Sequence, residues 1–229
     1  MKLIFVTLFP NLIKPYFEDS ILKRAMDKNL FEIEFVNFRN FAENKHLHVD
    51  TTPAGGGAGM VIDNVALRNA LNSLREKYPS SRTIFLTPVG KVYNQKDAMR
   101  LAKEEVLILV SGRYEGFDER LIEDFADEVI SIGDFILTGG ELGSLIIADS
   151  ILRNIEGILG NSESLKEESF NNNLLEAPQF SKTGEIPSIL KSGNHKKIEQ
   201  WKKETSILKT KFHRPDLLII ENLKLKNKS

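Results

Sequence analysis

Apolar residues along the chain alternate between short continuous runs and helical spacings, a pattern that predicts strands separated by helices. Continuous or alternating apolar runs predict strands over 2–8, 30–37, 83–87, 106–110 and about 128–132. Apolar residues at helical spacing predict helices from Pro10 to Ala25, over about 63–77, over 94–104, from Asp118 and over about 140–155. Strands joined by helical crossovers indicate a mainly parallel sheet covered on both faces, with the wholly apolar run 106–110 at its centre.

The pattern changes after Gly157. Glycine, serine, asparagine and charged residues prevail to about Asn173, which is typical of a linker. Beyond it a helical pattern covers 194–208, and Pro215 opens a last helix. We therefore predict an α/β domain over 1–157, a linker over 158–175 and a basic all-helical domain over 176–229.

Charge is unevenly distributed, although the formal net charge is only −1. Residues 1–100 carry 14 basic and 10 acidic side chains, residues 101–180 carry 5 and 17, and residues 181–229 carry 12 and 5. A basic C-terminal segment beside an acidic middle indicates that the tail meets a polyanion. A solvated, lysine-rich surface is the alternative that charge alone leaves open.

Composition removes several classes of function. The chain has no cysteine, which excludes disulfide scaffolds, thiolate metal sites and cysteine nucleophiles. The four histidines show no H-E-x-x-H spacing, and we predict no metal-ligand set. No apolar run approaches the ~18 residues of a membrane span, and the first residues resemble a strand more than a signal peptide. These features favour a soluble, cytoplasmic protein without a membrane partner.

A first glycine-rich loop runs P-A-G-G-G-A-G-M from Pro53 to Met60. It lacks the third glycine of a dinucleotide fingerprint because Met60 stands there, and no Gly-Lys-Ser/Thr follows as in a P-loop. Glycines at this density allow the backbone to approach a ligand closely. A flexible turn is the alternative.

Two further loops follow predicted strands, at the sheet edge where open α/β folds bind ligands. The segment S-G-R-Y-E-G over 111–116 combines close backbone approach, a cation, an aromatic ring and a carboxylate, with an arginine–glutamate surface pair as the alternative. The segment S-I-G-D-F-I-L-T-G-G-E over 131–141 offers backbone and aliphatic walls that suit an adenine ring. The loops carry too few cations for a nucleoside triphosphate.

Five motifs in order resemble the bacterial tRNA (guanine-N1)-methyltransferase family, TrmD, of the SPOUT superfamily. They are D-x-x-P-x-G-G-G-x-G-M over 50–60, G-R-Y-E-G-x-D-E-R over 112–120, S-I-G-D-F-I-L-T-G-G-E-L over 131–142, E-S-F-x-x-x-L-L-E-x-P-Q-F over 168–180 and S-G-N-H-x-x-I-x-x-W over 192–201. The resemblance covers essentially the whole chain. It implies a SPOUT-type parallel sheet with a deep C-terminal trefoil knot and a small all-helical C-terminal domain, whereas periodicity alone predicts an ordinary doubly wound sheet.

The resemblance also implies an activity: S-adenosyl-L-methionine-dependent methylation of N1 of guanosine at tRNA position 37, giving N1-methylguanosine. It implies tRNA as substrate and a homodimer with active sites across the interface, and it leaves Mg²⁺ open as a second cofactor. A catalytically inactive SPOUT-type RNA-binding protein is the alternative. A nicotinamide-dependent oxidoreductase is excluded because no G-x-G-x-x-G follows the first strand.

Site residues follow from the resemblance position by position. The cofactor-binding residues that it implies are Leu86, Thr87, Pro88, Gly112, Tyr114, Glu115, Ser131, Ile132, Gly133, Phe135, Leu137, Gly139 and Gly140. Glu115 is expected to face the methionine end of the cofactor. Arg153 matches the family's catalytic arginine, and Glu168 of the partner subunit is the expected base, with the adjacent Glu167 as its alternative. The family's Arg-Pro-Tyr before the triple glycine is replaced by Thr52-Pro53-Ala54.

Overall fold

The computed structural model describes residues 1–160 and 168–218. The chain divides into two compact units, Met1–Gly160 and Asn161–Ser229. Among the described residues, no helix combines the length and the apolar character needed to cross a membrane. Glu167 lies outside the described residues, as do 161–166 and 219–229.

The first unit alternates strands and helices as the apolar pattern predicts. Its elements in chain order are β1 (Lys2–Val6), α1 (Ser20–Asp27), β2 (Glu32–Val36), β3 (Asp50–Thr51), β4 (Val61–Ile62), α2 (Asn64–Lys77), β5 (Arg82–Val92), α3 (Gln95–Leu101), β6 (Val106–Ser111), α4 (Glu119–Phe125), β7 (Glu128–Ser131) and α5 (Glu141–Leu152). Side chains cap several of these helices: Asp118 accepts a hydrogen bond from the Arg120 amide, and Asn94 and Asp97 form a capping box on α3.

The main sheet has the strand order β2-β1-β6-β5-β7, and all of its pairings are parallel. The predicted parallel sheet is therefore confirmed, and β6 is its central strand. Two apolar clusters cover the two faces. One joins Phe5, Leu109 and Ile147, and the other joins Phe85 to Leu67. A parallel sheet buried on both faces brings the carboxyl ends of its strands to one edge.

The helix predicted from Pro10 to Ala25 is wrong. Two 3₁₀ turns, Pro10–Leu12 and Lys14–Phe17, precede α1, which begins only at Ser20. Pro15 has no amide hydrogen and disfavours the helical conformation in the residue before it, so a continuous helix cannot pass this point. Ile13 and Phe17 still face the core, which explains why their spacing imitates one helix face.

The antiparallel pair of β3 and β4 is an element that the apolar pattern did not predict. Each strand has only two residues, too few for a period-2 pattern to appear. The glycine-rich loop connects them. The Ile62 amide donates to the Gly116 carbonyl at 2.9 Å, and the Glu115 amide donates to the Met60 carbonyl at 2.8 Å. The pair is therefore fixed to the segment that follows β6.

The second unit is described over 168–218. It contains α6 (Ser188–Lys191) and α7 (His195–His213). Residues 215–218 are helical as well, and Pro215 is the first of them. Two hydroxyls on α7 hold the extended segment around Leu175. The Thr210 hydroxyl oxygen accepts from the Leu175 amide at 2.8 Å, and the Ser206 hydroxyl donates to the Leu175 carbonyl at 2.5 Å. The single tryptophan, Trp201, lies on α7 with its ring centroid 6.3 Å from that of Phe180.

Candidate functional site

A cavity of about 380 Å³ lies in the first unit, where the segments after β6 and β7 meet a bulge in β5. This volume is within the ~300–1,000 Å³ typical of small-molecule sites. The cavity brings together all thirteen residues that the sequence predicts for a cofactor: Leu86, Thr87, Pro88, Gly112, Tyr114, Glu115, Ser131, Ile132, Gly133, Phe135, Leu137, Gly139 and Gly140. The same wall also includes Arg113, Phe117, Ile130, Ile136, Thr138 and Gly143.

The bulge in β5 brings the first part of the wall to the cavity. Pairing with β7 stops at Leu86 and resumes at Lys91, and both residues are in register with Ile130. The residues between them leave the ladder, and Pro88 could not donate to it in any case. Gly90 permits the return of the strand, because a Cβ there would lie 2.6 Å from backbone atoms of Ile130. The predicted strand 83–87 is therefore only the first half of β5.

The segment after β6 forms the second part of the wall. It turns through Tyr114, which has a φ of 58°, and Gly116, with a φ of 118°. A positive φ at a non-glycine residue is uncommon, and such positions cluster at ligand sites. Gly112 lies against the ring of Phe117, where a Cβ would come within 2.9 Å of the ring edge. Phe117 in turn contacts the buried ring of Phe85 edge to face, with 4.9 Å between centroids.

The segment after β7 closes the cavity before α5 begins. The Ser131 hydroxyl donates to the Gly133 carbonyl at 3.0 Å. The Gly140 amide donates to the Gly112 carbonyl at 2.8 Å, which joins this segment to the one after β6. A Cβ at Gly140 would lie 2.8 Å from the Gly112 nitrogen. The close approach of two backbone segments therefore requires glycine at position 140, whether or not a ligand is bound.

An ion pair between the wall residue Arg113 and the buried Glu141 is a feature of the site that sequence reasoning missed. Glu141, the first residue of α5, is 3% exposed, and its Oε2 lies 2.9 Å from Arg113 Nε. The two groups form an ion pair without the alignment of a directional hydrogen bond. Glu141 Oε1 accepts a hydrogen bond from the Thr7 hydroxyl at 2.7 Å. The arginine of the S-G-R-Y-E-G segment therefore pairs with a residue 28 positions away, and the expected alternative of a surface pair within that segment is wrong.

The glycine-rich loop between β3 and β4 lies beside the cavity without lining it. Gly55, Gly56 and Gly57 have positive φ and open space around them. Gly59 packs under Glu115, where a Cβ would lie 2.4 Å from Glu115 Oε1. The exposed Glu115 side chain thus connects the cavity wall to the glycine-rich loop.

The two predicted catalytic residues do not line this cavity. Arg153 caps the C-terminal end of α5, and twelve helical residues place it about 18 Å along the axis from the end at the cavity. Glu168 belongs to the second unit. It borders a cavity of about 270 Å³ whose other charged lining residues are Glu176, Glu199, Lys202 and Lys203.

The outer face of α5 is apolar and exposed. Leu142 and Ile146, one helical turn apart, are 60% and 50% exposed. Leu12 and Tyr16, from the turns before α1, are exposed as well. The Tyr16 hydroxyl donates to Asp149 at 3.1 Å, and burial together with the Asp149 charge raises the pKa of Tyr16.

No group of three or more histidine, aspartate or glutamate side chains lies close enough to hold a metal ion within residues 1–160 and 168–218. Among the described residues that line the first cavity, Glu115 supplies the carboxylate, and the nearby Glu141 is held in the ion pair with Arg113. A cation there would have to complete its ligand set from water or from a bound substrate.

Comparison with known proteins agrees with these motifs. Residues 1–220 match the family described as tRNA (Guanine-1)-methyltransferase TrmD. A tRNA (guanine-N(1)-)-methyltransferase of a Nitratiruptor species is 55% identical over 222 residues, which cover 94% of this chain and 97% of the relative. Relatives of the same name from Helicobacter pylori (strain J99) and Campylobacter jejuni (strain RM1221) are 55% and 52% identical, and the matches cover 95% and 96% of this chain and 97% of each relative.

Proposed function

The chain belongs to the tRNA (guanine-1)-methyltransferase family TrmD, and from this premise we propose that it methylates N1 of guanosine 37 in tRNA. The methyl donor of the proposed reaction is S-adenosylmethionine. The observation that carries the proposal is the cavity in which all thirteen predicted cofactor residues meet. The activity named for the relatives disfavours an inactive RNA-binding protein. We propose the cytoplasm as the site of this activity, because the proposed substrate is tRNA.

The cavity suits S-adenosylmethionine in size and in lining. Leu86, Ile132 and Leu137 supply apolar walls, and the glycines expose backbone groups that can hydrogen-bond the edge of an adenine ring. Tyr114 and Glu115 would hold the methionine end, where a carboxylate can pair with the ammonium group. When bound, S-adenosylmethionine supplies an electrophilic methyl group on a positively charged sulfur.

Glu168 is the proposed general base. N1 of guanine carries a proton at neutral pH, and its lone pair is unavailable until that proton leaves. A carboxylate about 3 Å from N1 can accept the proton, a contribution typically worth ~10²–10⁴ in rate. Glu168 is half-buried at the edge of a cavity in the second unit, a position from which its carboxylate could meet a nucleotide.

Arg153 is the proposed electrostatic partner of this step. As the proton leaves N1, negative charge develops on the guanine ring and on O6, and a guanidinium can stabilise it. A single α5 holds Arg153 about 18 Å from its cavity end, so one subunit's Arg153 cannot serve that subunit's own cavity through α5 alone. A homodimer that combines groups from two subunits removes this difficulty.

The exposed apolar face of α5 supports such a homodimer. Leu142, Ile146, Leu12 and Tyr16 present apolar surface that a second copy of the chain could cover. A two-fold interface uses the same patch on both subunits, so one apolar face is sufficient. Sedimentation equilibrium over a range of concentrations distinguishes this dimer from a monomer.

The second unit is the proposed tRNA-binding region. Exposed lysines lie along α7. A row of cations can neutralise successive phosphates of an RNA backbone. The proposed phosphate contacts are Lys196, Lys197, Lys202, Lys203, Lys211 and Arg214. The proposal includes a linker over 158–175 and an all-helical domain over 176–229.

A trefoil knot is proposed for the C-terminal part of the first unit. After β7, at the sheet edge, the chain returns to the central strand. There the Gly140 amide donates a hydrogen bond to the Gly112 carbonyl, and the hydroxyls of Ser144 and Ser111 are hydrogen-bonded to each other. This return beside the segment after β6 supports a threaded path. The described residues at the cavity offer too few ligands for a protein cage around Mg²⁺, so a magnesium ion there would take most of its ligands from water or substrate.

Replacing Glu168 by glutamine tests the proposed base. We expect Glu168→Gln to lower the single-turnover rate by ~10²–10⁴, because glutamine keeps the shape and loses the basicity. Its affinity for S-adenosylmethionine, measured by calorimetry, should stay at the wild-type value.

Glu199→Gln, at the same cavity in the second unit, is the matched control and should remain active. If Glu168→Gln keeps its activity while Glu167→Gln loses it, the base is Glu167. Activity in both variants would contradict a carboxylate base.

A further inference from the structure

Arg113 contacts three elements that meet at the cofactor cavity. Its Nε faces Glu141 at 2.9 Å, and its Nη1 donates to the Thr138 carbonyl at 3.1 Å. Its guanidinium lies 4.5 Å from the centre of the Phe9 ring, at a distance typical of a cation–π contact. One side chain therefore connects the segment after β1, the start of α5 and the cavity segment 131–140.

The cavity segment is shaped around this arginine. A Cβ at Gly139 would lie 2.4 Å from Arg113 Nε, so the backbone at Gly139 rests directly on the guanidinium. Thr138 and Gly139 both line the cavity. The position of the arginine thus determines where two consecutive residues of the cavity wall can lie.

Glu141 fixes the arginine in turn. The Thr7 hydroxyl donates to Glu141 and accepts from the Phe9 amide at 2.9 Å, which joins the carboxylate to the end of β1. The Glu141 charge is buried, which is costly unless it remains paired, so the ion pair restrains the Arg113 side chain. The contacts therefore form a continuous chain from Thr7 through Glu141 and Arg113 to Thr138.

We propose that Arg113 and Glu141 are a positioning pair that sets the cofactor affinity of the cavity by holding Thr138 and Gly139 in place. This inference rests on the proposed function, because it takes S-adenosylmethionine as the ligand. Neither residue takes part in proton or methyl transfer. Their effect reaches the ligand through the backbone of the cavity segment.

Arg113→Lys tests the pair without changing the side-chain charge. Lysine can meet Glu141 or the Thr138 carbonyl but lacks the planar fork that reaches both at once. We expect calorimetry on the full-length variant to show about tenfold weaker binding of S-adenosylmethionine, which is about 1.4 kcal/mol. The KM for tRNA should stay near the wild-type value.

The matched control is Arg82→Lys. Arg82 also bridges two acceptors, Glu104 at 2.8 Å and Glu128 at 3.3 Å, but it lies at the opposite end of β5. Its substitution should leave the affinity for S-adenosylmethionine unchanged. Equal loss of affinity in both variants would overturn the inference, because it would show a general effect of losing a bridging arginine.

A second ligand separates positioning from direct contact. 5′-Methylthioadenosine lacks the amino-acid end of S-adenosylmethionine, so it has no carboxylate or ammonium group for Arg113 to meet. If Arg113 acts by positioning the cavity segment, Arg113→Lys should lower the affinity for both ligands by a similar factor. A lower affinity for S-adenosylmethionine alone would overturn the proposal, because Arg113 would then contact the charged end of the ligand.

Replacing both partners separates positioning from stability. Arg113→Met leaves Glu141 buried without its partner, whereas Arg113→Met combined with Glu141→Gln removes both charges and should recover thermal stability. We expect the cofactor affinity to stay about tenfold low in that double variant. Affinity that recovers together with stability would overturn the proposal. If the double variant does not fold, Arg113→Lys still decides.

The wild-type titration separates this inference from the proposed function. Wild-type protein that binds neither ligand overturns the proposed function and this inference with it. Wild-type binding with unchanged binding in Arg113→Lys overturns the positioning pair alone.

Discussion

Alanine in place of Gly140 is expected to destabilise the protein and to weaken the proposed binding of S-adenosylmethionine in the cavity of the first unit. The added Cβ would lie 2.8 Å from both the Gly112 nitrogen and the Ser111 Cα. These are backbone atoms at the end of the central strand, and Ser111 is wholly buried, so no side-chain rotation relieves the contact. The 2.8 Å hydrogen bond from the Gly140 amide to the Gly112 carbonyl must lengthen as well.

The magnitude follows from these two effects. Overpacking a rigid interior typically costs ~1–3 kcal/mol, and a lost backbone hydrogen bond costs ~0.5–1.5 kcal/mol. Together they predict a loss of about 1.5–4.5 kcal/mol in the free energy of unfolding. For a chain of this length, each kcal/mol lowers the melting temperature by ~2–4 °C.

Thermal unfolding followed by circular dichroism measures the effect, with calorimetry for the cofactor. Gly160→Ala is the control, because Gly160 has open space around its Cβ position and no positive φ. Its melting temperature should stay within about 2 °C of wild type. If Gly140→Ala melts at the temperature of Gly160→Ala, the two segments do not approach as described and the reasoning fails.

Two further predictions concern tRNA and pH. Replacing Lys196, Lys197 and Lys211 by glutamine should weaken tRNA binding and reduce the slope of log K against log salt by ~0.7–0.9 for each phosphate that is no longer neutralised. The control removes the same charge from the first unit, at Lys23, Lys28 and Lys103, and an equal weakening there would contradict a specific role for α7. Burial raises the pKa of Tyr93 to about 12, above the ~10 of an unfolded tyrosine. The folded state then keeps a proton that the unfolded state has released. This stabilisation is complete below pH ~10 and is lost as pH rises towards ~12. Tyr93→Phe should show a smaller decrease in melting temperature between pH 9 and 11, and an unchanged decrease would contradict the assignment.

Periodicity was sufficient for the strands and helices whose side chains alternate between core and solvent. It predicted the strand over 106–110 at the sheet centre and the helix over about 63–77, because the order of apolar residues in each segment reflects its burial directly. It was wrong before α1, where Pro15 interrupts a helix-like spacing. It ended β5 too early, because the bulge at Pro88 interrupts the ladder before pairing resumes at Lys91.

The residues of the cavity wall were predictable from motifs, whereas the ion pair of Arg113 with Glu141 that supports the wall was not. Glycine, aromatic and apolar residues in the segments after β6 and β7 belong to the motifs that carried the resemblance, and the fold brings these two segments together at the cavity. The pairing of Arg113 with Glu141 depends on two segments that are distant in sequence. The residues next to each of them in the sequence do not distinguish it from a charged residue on the surface. Burial of a charge is a property of the tertiary structure, and composition carries no signal of it.

The identity of the methylated atom tests the central claim most directly. The wild-type protein is incubated with S-adenosylmethionine carrying an isotopically labelled methyl group and with a tRNA transcript that has guanosine at position 37. A matched transcript with adenosine at that position is the control. Nuclease digestion and mass spectrometry should find the label in N1-methylguanosine from position 37 and none in the control transcript. Unlabelled RNA, or a label on another base, another ring atom or the ribose, would contradict the account.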